Sequence, residues 1–265
     1  MFRLLKVIVR KLIPLRIHVP LKYWHSKYKG YIEPEMALLR KIIQLDDFVI
    51  DIGGNQGIYS YFISQFCRNI KIFEPNSQCY ELLSTWASSH EGISVHRAAL
   101  SNEEGSGSLL IPVDQFGIEH DSSASIQNNN FDNTRIEKVP IKTLDSFNFN
   151  KVDFIKIDVE GHEFPLLQGS IETIKKNKPC LLIEIEQRHN SLEISKIFQY
   201  IEHLGYKSYF FDDQKLKNLS AFSVNTHQNI SNFNSKRKYI NNFLFFDSEK
   251  LENGNYQNLS NFFNL

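Results

Sequence analysis

Cysteine is scarce in this 265-residue chain. Cys67, Cys79 and Cys180 show no metal-ligand spacing and no disulfide framework. They read as reduced, mostly buried thiols of a cytoplasmic protein. A net charge is lacking as well: 30 Lys and Arg balance 30 Asp and Glu. General affinity for nucleic acid is therefore not expected. Acidic residues are missing altogether from residues 1–32, which hold eight Lys and Arg. The rest of the chain carries 22 basic against 30 acidic residues, so the first segment is chemically distinct. Residues 2–13 are too short and too charged to cross a bilayer. They also lack the uninterrupted apolar core and small-residue cleavage site of a signal peptide. Two uses remain open for this basic amphipathic stretch. One is a surface-seeking helix on the inner face of the membrane, and the other is a helix packed on the domain or on a twin subunit. What remains, 42% hydrophobic and 23% charged, is ordinary for one globular domain with an appendage.

Phe48-Val-Ile-Asp-Ile-Gly-Gly-Asn-Gln-Gly-Ile-Tyr-Ser-Tyr61 organises that domain. It starts as a buried strand, turns through three glycines and resumes with helical periodicity at Ile58, Tyr61, Phe62 and Phe66. Strand, glycine-rich turn and helix open a βαβ unit. Glycine lets the backbone turn sharply and lets a ligand come close. The helix start offers free N–H groups to an anionic group. The G-x-G-x-x-G pattern of dinucleotide binders is absent. The spacing is instead Asp51-x-Gly53-Gly54-Asn55-x-Gly57, which resembles motif I of class I S-adenosylmethionine-dependent methyltransferases. Asp51 suits a ligand with an ammonium and a sulfonium, and would repel a pyrophosphate.

Asn69–Phe73 reads as a second strand that ends at Glu74, twenty residues past Gly54, and is stopped by Pro75. A carboxylate there can accept both ribose hydroxyls of a nucleoside. Its other reading is a surface carboxylate at a strand end. A helix over 78–90 and a third strand over Ile93–Leu100 follow, with Ala98 to Ser101 placed near an adenine. His96 reads as a satisfied strand histidine. Pro14 and Pro20 are expected to break the early helical pattern, and Glu33-Pro-Glu35 to open a helix. Tyr23, Trp24, Tyr28 and Tyr31 either roof a cleft or cover core. Ser106–Val113 is a short strand. The polar stretch 114–135 is either an acceptor-binding lid or disordered.

Phe154–Ile157 is the fourth strand, and Asp158, Glu160, His162 and Glu163 crowd its carboxyl end. Ligands of open α/β sheets sit there. Titratable groups so concentrated point to binding or proton chemistry. Cys180–Glu186 is the fifth strand, with Glu184 and Glu186 on one face. A helix near 192–204 and strands near Tyr206–Phe211 and Tyr239–Phe246 complete the pattern.

In order along the chain stand Asp51-Ile-Gly-Gly-Asn-Gln-Gly57, Phe73-Glu-Pro75, Ala99-Leu-Ser101, Lys142-Thr-Leu-Asp145, Lys156-Ile-Asp-Val-Glu-Gly-His-Glu163 and the Glu184 strand. With these the chain is similar to the FkbM-family methyltransferases, over roughly residues 33–190. Gly54 stands where that family commonly has alanine. The resemblance implies an α/β, Rossmann-like class I methyltransferase fold, with a mostly parallel seven-stranded sheet and helices on both faces. The chain as a whole reads as a basic N-terminal segment 1–32, a methyltransferase domain 33–247 and a tail 248–265, with 1–32 and 212–238 outside the resemblance. The resemblance also implies S-adenosylmethionine as donor and O-methylation of a hydroxyl, with acceptors such as glycan or glycolipid sugars and polyketides.

On this reading Asp51, Gly53, Gly54, Asn55, Gly57, Glu74 and Ala99 bind the donor. A hydroxyl acceptor needs a general base. Asp158 is the first candidate, His162 the second. Glu160 and Glu163 could hold acceptor hydroxyls or a divalent cation, although Glu163 also suits a helix first turn. No residue is assigned to a metal. Two other classes stay open: a non-catalytic, donor-binding scaffold in a glycan assembly complex, and an NAD-binding oxidoreductase.

Overall fold

The computed structural model describes residues 13–113, 126, 133–232 and 239–263. Residues 2–12 of the basic stretch and most of the 114–135 stretch lie outside them. At the centre is β1 (Phe48–Ile52), paired in parallel with β2 (Asn69–Phe73) on one side and β7 (Phe154–Ile157) on the other. Outward run β3 (Ile93–His96) beyond β2 and β8 (Cys180–Glu184) beyond β7, both parallel. The chain first builds β1 to β3 in one direction and then returns to the other side of β1. The carboxyl ends of β1 and β7 therefore form a topological switch point, where open α/β sheets bind ligands.

Three antiparallel strands extend the sheet past β8: β11 (Asn242–Asp247), β9 (Tyr206–Asp212) and β10 (Lys215–Asn218). The main sheet thus has eight strands, where the sequence predicts seven. A second sheet holds β4 (Ala99–Leu100), β6 (Thr134–Lys142) and β5 (Gly105–Pro112) in the order β4-β6-β5. The expected single strand 93–100 is divided at Arg97-Ala98. His96 remains in the large sheet, and Ala99 turns to pair with Ile141. Glu137 of β6 pins the small sheet by accepting from Ser77 N–H and Oγ and pairing with Arg97 and Arg135.

The pleat sends Val49, Phe154, Cys180 and Leu182 to one face, and Ile50, Ile155, Leu181 and Ile183 to the other. The first face is covered by α1 (Leu15–Lys29), α2 (Met36–Ile42), α3 (Ile58–Ser64) and α4 (Ser77–Ala87). The second carries α5 (Glu163–Gln168), α6 (Ile171–Asn177) and α7 (Ser195–His203). Short helices α8 (Val224–His227) and α9 (Ser248–Glu252) flank β11. The three cysteines are buried and form no disulfide with one another. Phe262 and Phe263 of the tail pack on the α1–α4 face.

Pro20 does not break the chain but lies inside α1. The missing N–H is tolerated because tertiary packing holds the helix. Val19, Tyr23 and Ser26 are buried, and Tyr23 stacks on Phe62 of α3. Gly57, which caps α3 at φ +81°, makes that packing feasible. A Cβ there would stand 2.8 Å from both Leu83 and Val19. Gly57→Ala is accordingly expected to destabilise the fold by about 1–3 kcal/mol, through clash and a left-handed backbone. Gly105, which faces open space, serves as control. Urea melts of Gly57→Ala and Gly105→Ala check this, and equal stability loss in both would refute the packing role.

Candidate active site

The turn after β1 is held by backbone geometry. The N–H groups of Gly53 and Gly54 donate to the Phe73 carbonyl at 2.9 and 3.2 Å. Gly53 has φ +81°, and a Cβ there would sit 1.8 Å from the Asp158 carbonyl oxygen, so the two strand ends meet over a bare backbone. A Cβ on Gly54 would meet Ile72 at 2.4 Å. Asn55 has φ +45°, a region that glycine and asparagine tolerate best. Its N–H donates to Glu74 Oε2 at 2.7 Å, and Asn76 N–H donates to Glu74 Oε1 at 2.8 Å. Glu74 is thereby fixed at the end of β2.

A charged cluster lies beside the turn on the α1–α4 face. Asp51 is a direct neighbour of Lys156 in the β1–β7 register. Two positions beyond Leu182, the Lys156 neighbour on β8, stands Glu184 on the same face. Lys156 is 1% exposed. Its Nζ lies 3.5 Å from Asp158 Oδ2, donates to the Ile157 carbonyl at 3.3 Å and sits 4.9 Å from the Tyr59 ring centre. Burial alone would lower its pKa, but Asp158, Glu184, Glu33 and Asp51 raise it, so the ammonium stays charged. Ser60 donates to Asp51, and Tyr59 to Glu33. Asn241 donates to Glu184 at 2.7 Å, and Asn242 to Glu33 at 3.1 Å. Burial raises Asp51, and burial followed by Asp158 raises Glu184 well above the carboxylate range.

A third group follows β7. Glu160 sits at φ +48° and Gly161 at φ +91°, where a Cβ would meet the His189 carbonyl at 2.3 Å. Burial, Asp158 and Glu186 push Glu160 up to about 8, and its Oε2 lies 3.3 Å from His189 Nδ1. His162 Nε2 is 2.9 Å from Ser101 Oγ, and burial lowers its pKa, leaving a neutral imidazole at neutral pH. Glu163 faces elsewhere. It accepts from Gly161 N–H at 2.7 Å and Asn190 at 2.9 Å, and burial pushes it up to about 7.

One cavity of about 490 Å³ joins these groups, a size suited to a nucleoside-sized ligand. Of the residues expected from sequence, Asp51, Gly53, Gly54, Asn55, Glu74, Ala99, Asp158, Glu160 and His162 line it. Gly57 and Glu163 do not: the one seats α1, the other clamps the loop after β7. Tyr31, one of the four aromatics expected either to roof a cleft or to cover core, lines it too, as do Lys22, Glu33, Tyr59, Lys156 and Glu184, to which sequence reading assigned no role there. Lys156 had a signal, being a lysine between isoleucines in a four-residue buried strand. Glu33 had none, since its partner Asn242 is distant in sequence. Ile126 lines the cavity too.

Residues 51–208, more than half of the sequence, match the Methyltransferase FkbM domain. The chain belongs to that family. A curated relative, Methyltransferase 1 of Beauveria bassiana (strain ARSEF 2860), is 26% identical over 145 residues. The match covers 47% of this chain and 58% of the relative, so the chain spans little more than half of that protein. The crystal structure of Methyltransferase FkbM from Methylobacillus flagellatus KT aligns with TM-score 0.50 at 15% identity. It covers 83% of this chain and 50% of the other. That likeness shows the class I methyltransferase fold.

Family membership leaves the protonation state of the acidic wall to the geometry. Glu160, at about 8 against an ordinary 4.5, binds its proton more tightly folded than unfolded. The stability it confers is full below about pH 4.5 and is lost as pH rises through about 8. Glu163, at about 7, acts in the same direction. Melting temperature is therefore expected to fall between about pH 4.5 and about pH 8, and Glu160→Gln to flatten the fall. Thermal scans across that window check it, and an unaltered slope in Glu160→Gln would refute the burial of a protonated Glu160.

Proposed function

We propose that this chain transfers the methyl group of S-adenosylmethionine to a hydroxyl, most specifically that of a sugar in a glycan or glycolipid. The observation that carries this reading is the meeting, in one cavity, of the Gly53–Asn55 turn with Glu74 at one end and Asp158 at the other. The residues present suit the donor. Asp51, at the end of β1, offers a carboxyl group to a ligand that carries an ammonium and a sulfonium. Glu74 accepts from two backbone N–H groups, which fix its carboxylate at the end of β2 on the cavity wall, where a carboxylate suits ribose hydroxyls. Ala98, Ala99 and Leu100 supply an apolar wall for a base.

S-adenosylmethionine, when bound, supplies an electrophilic methyl carbon on a positively charged sulfur. Asp158 would take the proton that the acceptor hydroxyl gives up when its oxygen receives the methyl group and the sulfur leaves as a neutral thioether. Lys156 holds Asp158 in place across 3.5 Å. Glu160, protonated below about pH 8, donates a hydrogen bond to the acceptor, and neutral His162 orients a second hydroxyl. Most of the acceleration comes from holding both reactants at near-attack distance. A sugar suits this wall because carboxyl, imidazole and the Tyr31 ring offer both hydrogen bonds and a stacking face.

Two substitutions separate the roles. Glu74→Ala should weaken S-adenosylhomocysteine binding by about ten-fold or more, read by calorimetry. Asp158→Ala should bind it within about two-fold while transfer to a glycan panel falls by about 10²–10⁴. Wild-type turnover in Asp158→Ala would remove the base assignment, and unchanged affinity in Glu74→Ala the ribose role. Absence of transfer to every glycan, with intact donor binding, would favour the scaffold reading.

A further inference from the structure

Helix α1 carries two opposed faces. Val19, Tyr23 and Ser26 point into the domain. On the other side, Ile17, Leu21, Trp24 and Tyr28 recur every three or four residues and form one stripe. They are 39%, 45%, 54% and 87% exposed, although a core-packed helix ordinarily turns polar side chains outward. Arg16 and Lys27 border the stripe on one flank, and Lys22 and Lys29 on the other. The whole segment 1–32 has eight basic and no acidic residues. Among the described residues no helix is long and apolar enough to cross a membrane. An apolar stripe with tryptophan and tyrosine, flanked by bases and free of acids, is the composition of a helix lying in the plane of an anionic bilayer. A protein partner would be expected to meet acidic residues as well as bases on such a surface.

We propose that the outer face of α1 docks this chain on a membrane surface rich in anionic lipid. Trp24 and Tyr28 sit at headgroup depth, Ile17 and Leu21 reach the acyl boundary, and the flanking bases meet lipid phosphates. The placement of this face relative to the cavity adds a consequence. Lys22, on one flank of the stripe, and Tyr31, just past the helix's carboxyl end, line the cavity. Docking therefore turns the cavity mouth towards the bilayer plane, and the acceptor it takes is one held at that plane, a saccharide on a lipid. This second part rests on the methyl-transfer reading; the docking itself does not.

The test uses the full chain and vesicles of phosphatidylcholine with or without about one quarter phosphatidylglycerol. Co-sedimentation is expected with the anionic vesicles and to be weakened by salt, because each basic side chain near such a surface adds about five-fold to partitioning. Trp24 emission should shift to the blue on binding, while Trp86, 1% exposed, stays silent. Leu21→Ser with Trp24→Ser should weaken binding about ten-fold or more without lowering the melting temperature. Leu21→Ser alone serves if the pair does not fold. No sedimentation with anionic vesicles, or equal binding by the substituted chain, overturns the proposal. So does a dimer that the same substitutions dissolve in the absence of vesicle binding. Vesicle binding without methyl transfer to any lipid-linked glycan would keep the docking and reject the acceptor.

Discussion

An ammonium group buried among carboxylates is the constraint on which the rest of this site depends. Lys156 has almost no contact with water, and an unpaired charge there would cost several kcal/mol. Its partners come from everywhere: Asp51 from β1, Asp158 from its own strand end, Glu184 from β8 and Glu33 from the segment before α2. Tyr59 and Ser60 reach this cluster only because α3 starts directly after the glycine turn. Asn241 and Asn242 reach it because β11 lies antiparallel to β8, with Asn242 opposite Glu184. Strand order, helix start and the antiparallel β11 are all tied to the neutralisation of one charge. The same ammonium stands beside Asp158, so the device that stabilises the core also sets the chemistry of the cavity.

Around that cluster the cavity has two kinds of wall. The side at the glycine turn is built from backbone: four main-chain N–H bonds fix the turn and Glu74, and Gly53 leaves no room for a side chain. Rigid main chain suits a ligand that is always the same. The opposite side is built from titratable side chains, and Glu160 is held at a left-handed φ by the close approach of Gly161 to His189. Backbone held this way persists only where neighbours over-determine it, and here Glu163 and Asn190 do so.

Much of this was legible in the residues. A strand with one acid near its end, a glycine turn and a carboxylate twenty residues on specify one wall of the cavity, because each is a local pattern with a backbone reason. Asp158, Glu160 and His162 were legible for the same reason: they follow a short apolar strand. Glu33 and Tyr59 were not, since their meeting with Lys156 depends on which helix covers which face. Gly57 was misplaced among ligand-facing residues, because a glycine that admits a ligand and one that admits a helix look alike in sequence. Pro20 and the divided strand at Arg97-Ala98 show tertiary pairing overriding a local signal. The count of eight main-sheet strands came from Lys215–Asn218, a lysine-rich stretch that earns strand geometry only by pairing with β9.

The break at Arg97-Ala98 has a bearing on how such a cavity changes over generations. It hands Ala99, Leu100 and Leu109 to a small sheet with its own core, pinned to the large one through Glu137. Substitutions on β5 can reshape that wall while the turn, Glu74 and Lys156 stay as they are. The wall that β4 and β5 supply and the wall that the glycine turn supplies are thus carried on separate pieces of architecture, and the first can drift without disturbing the second.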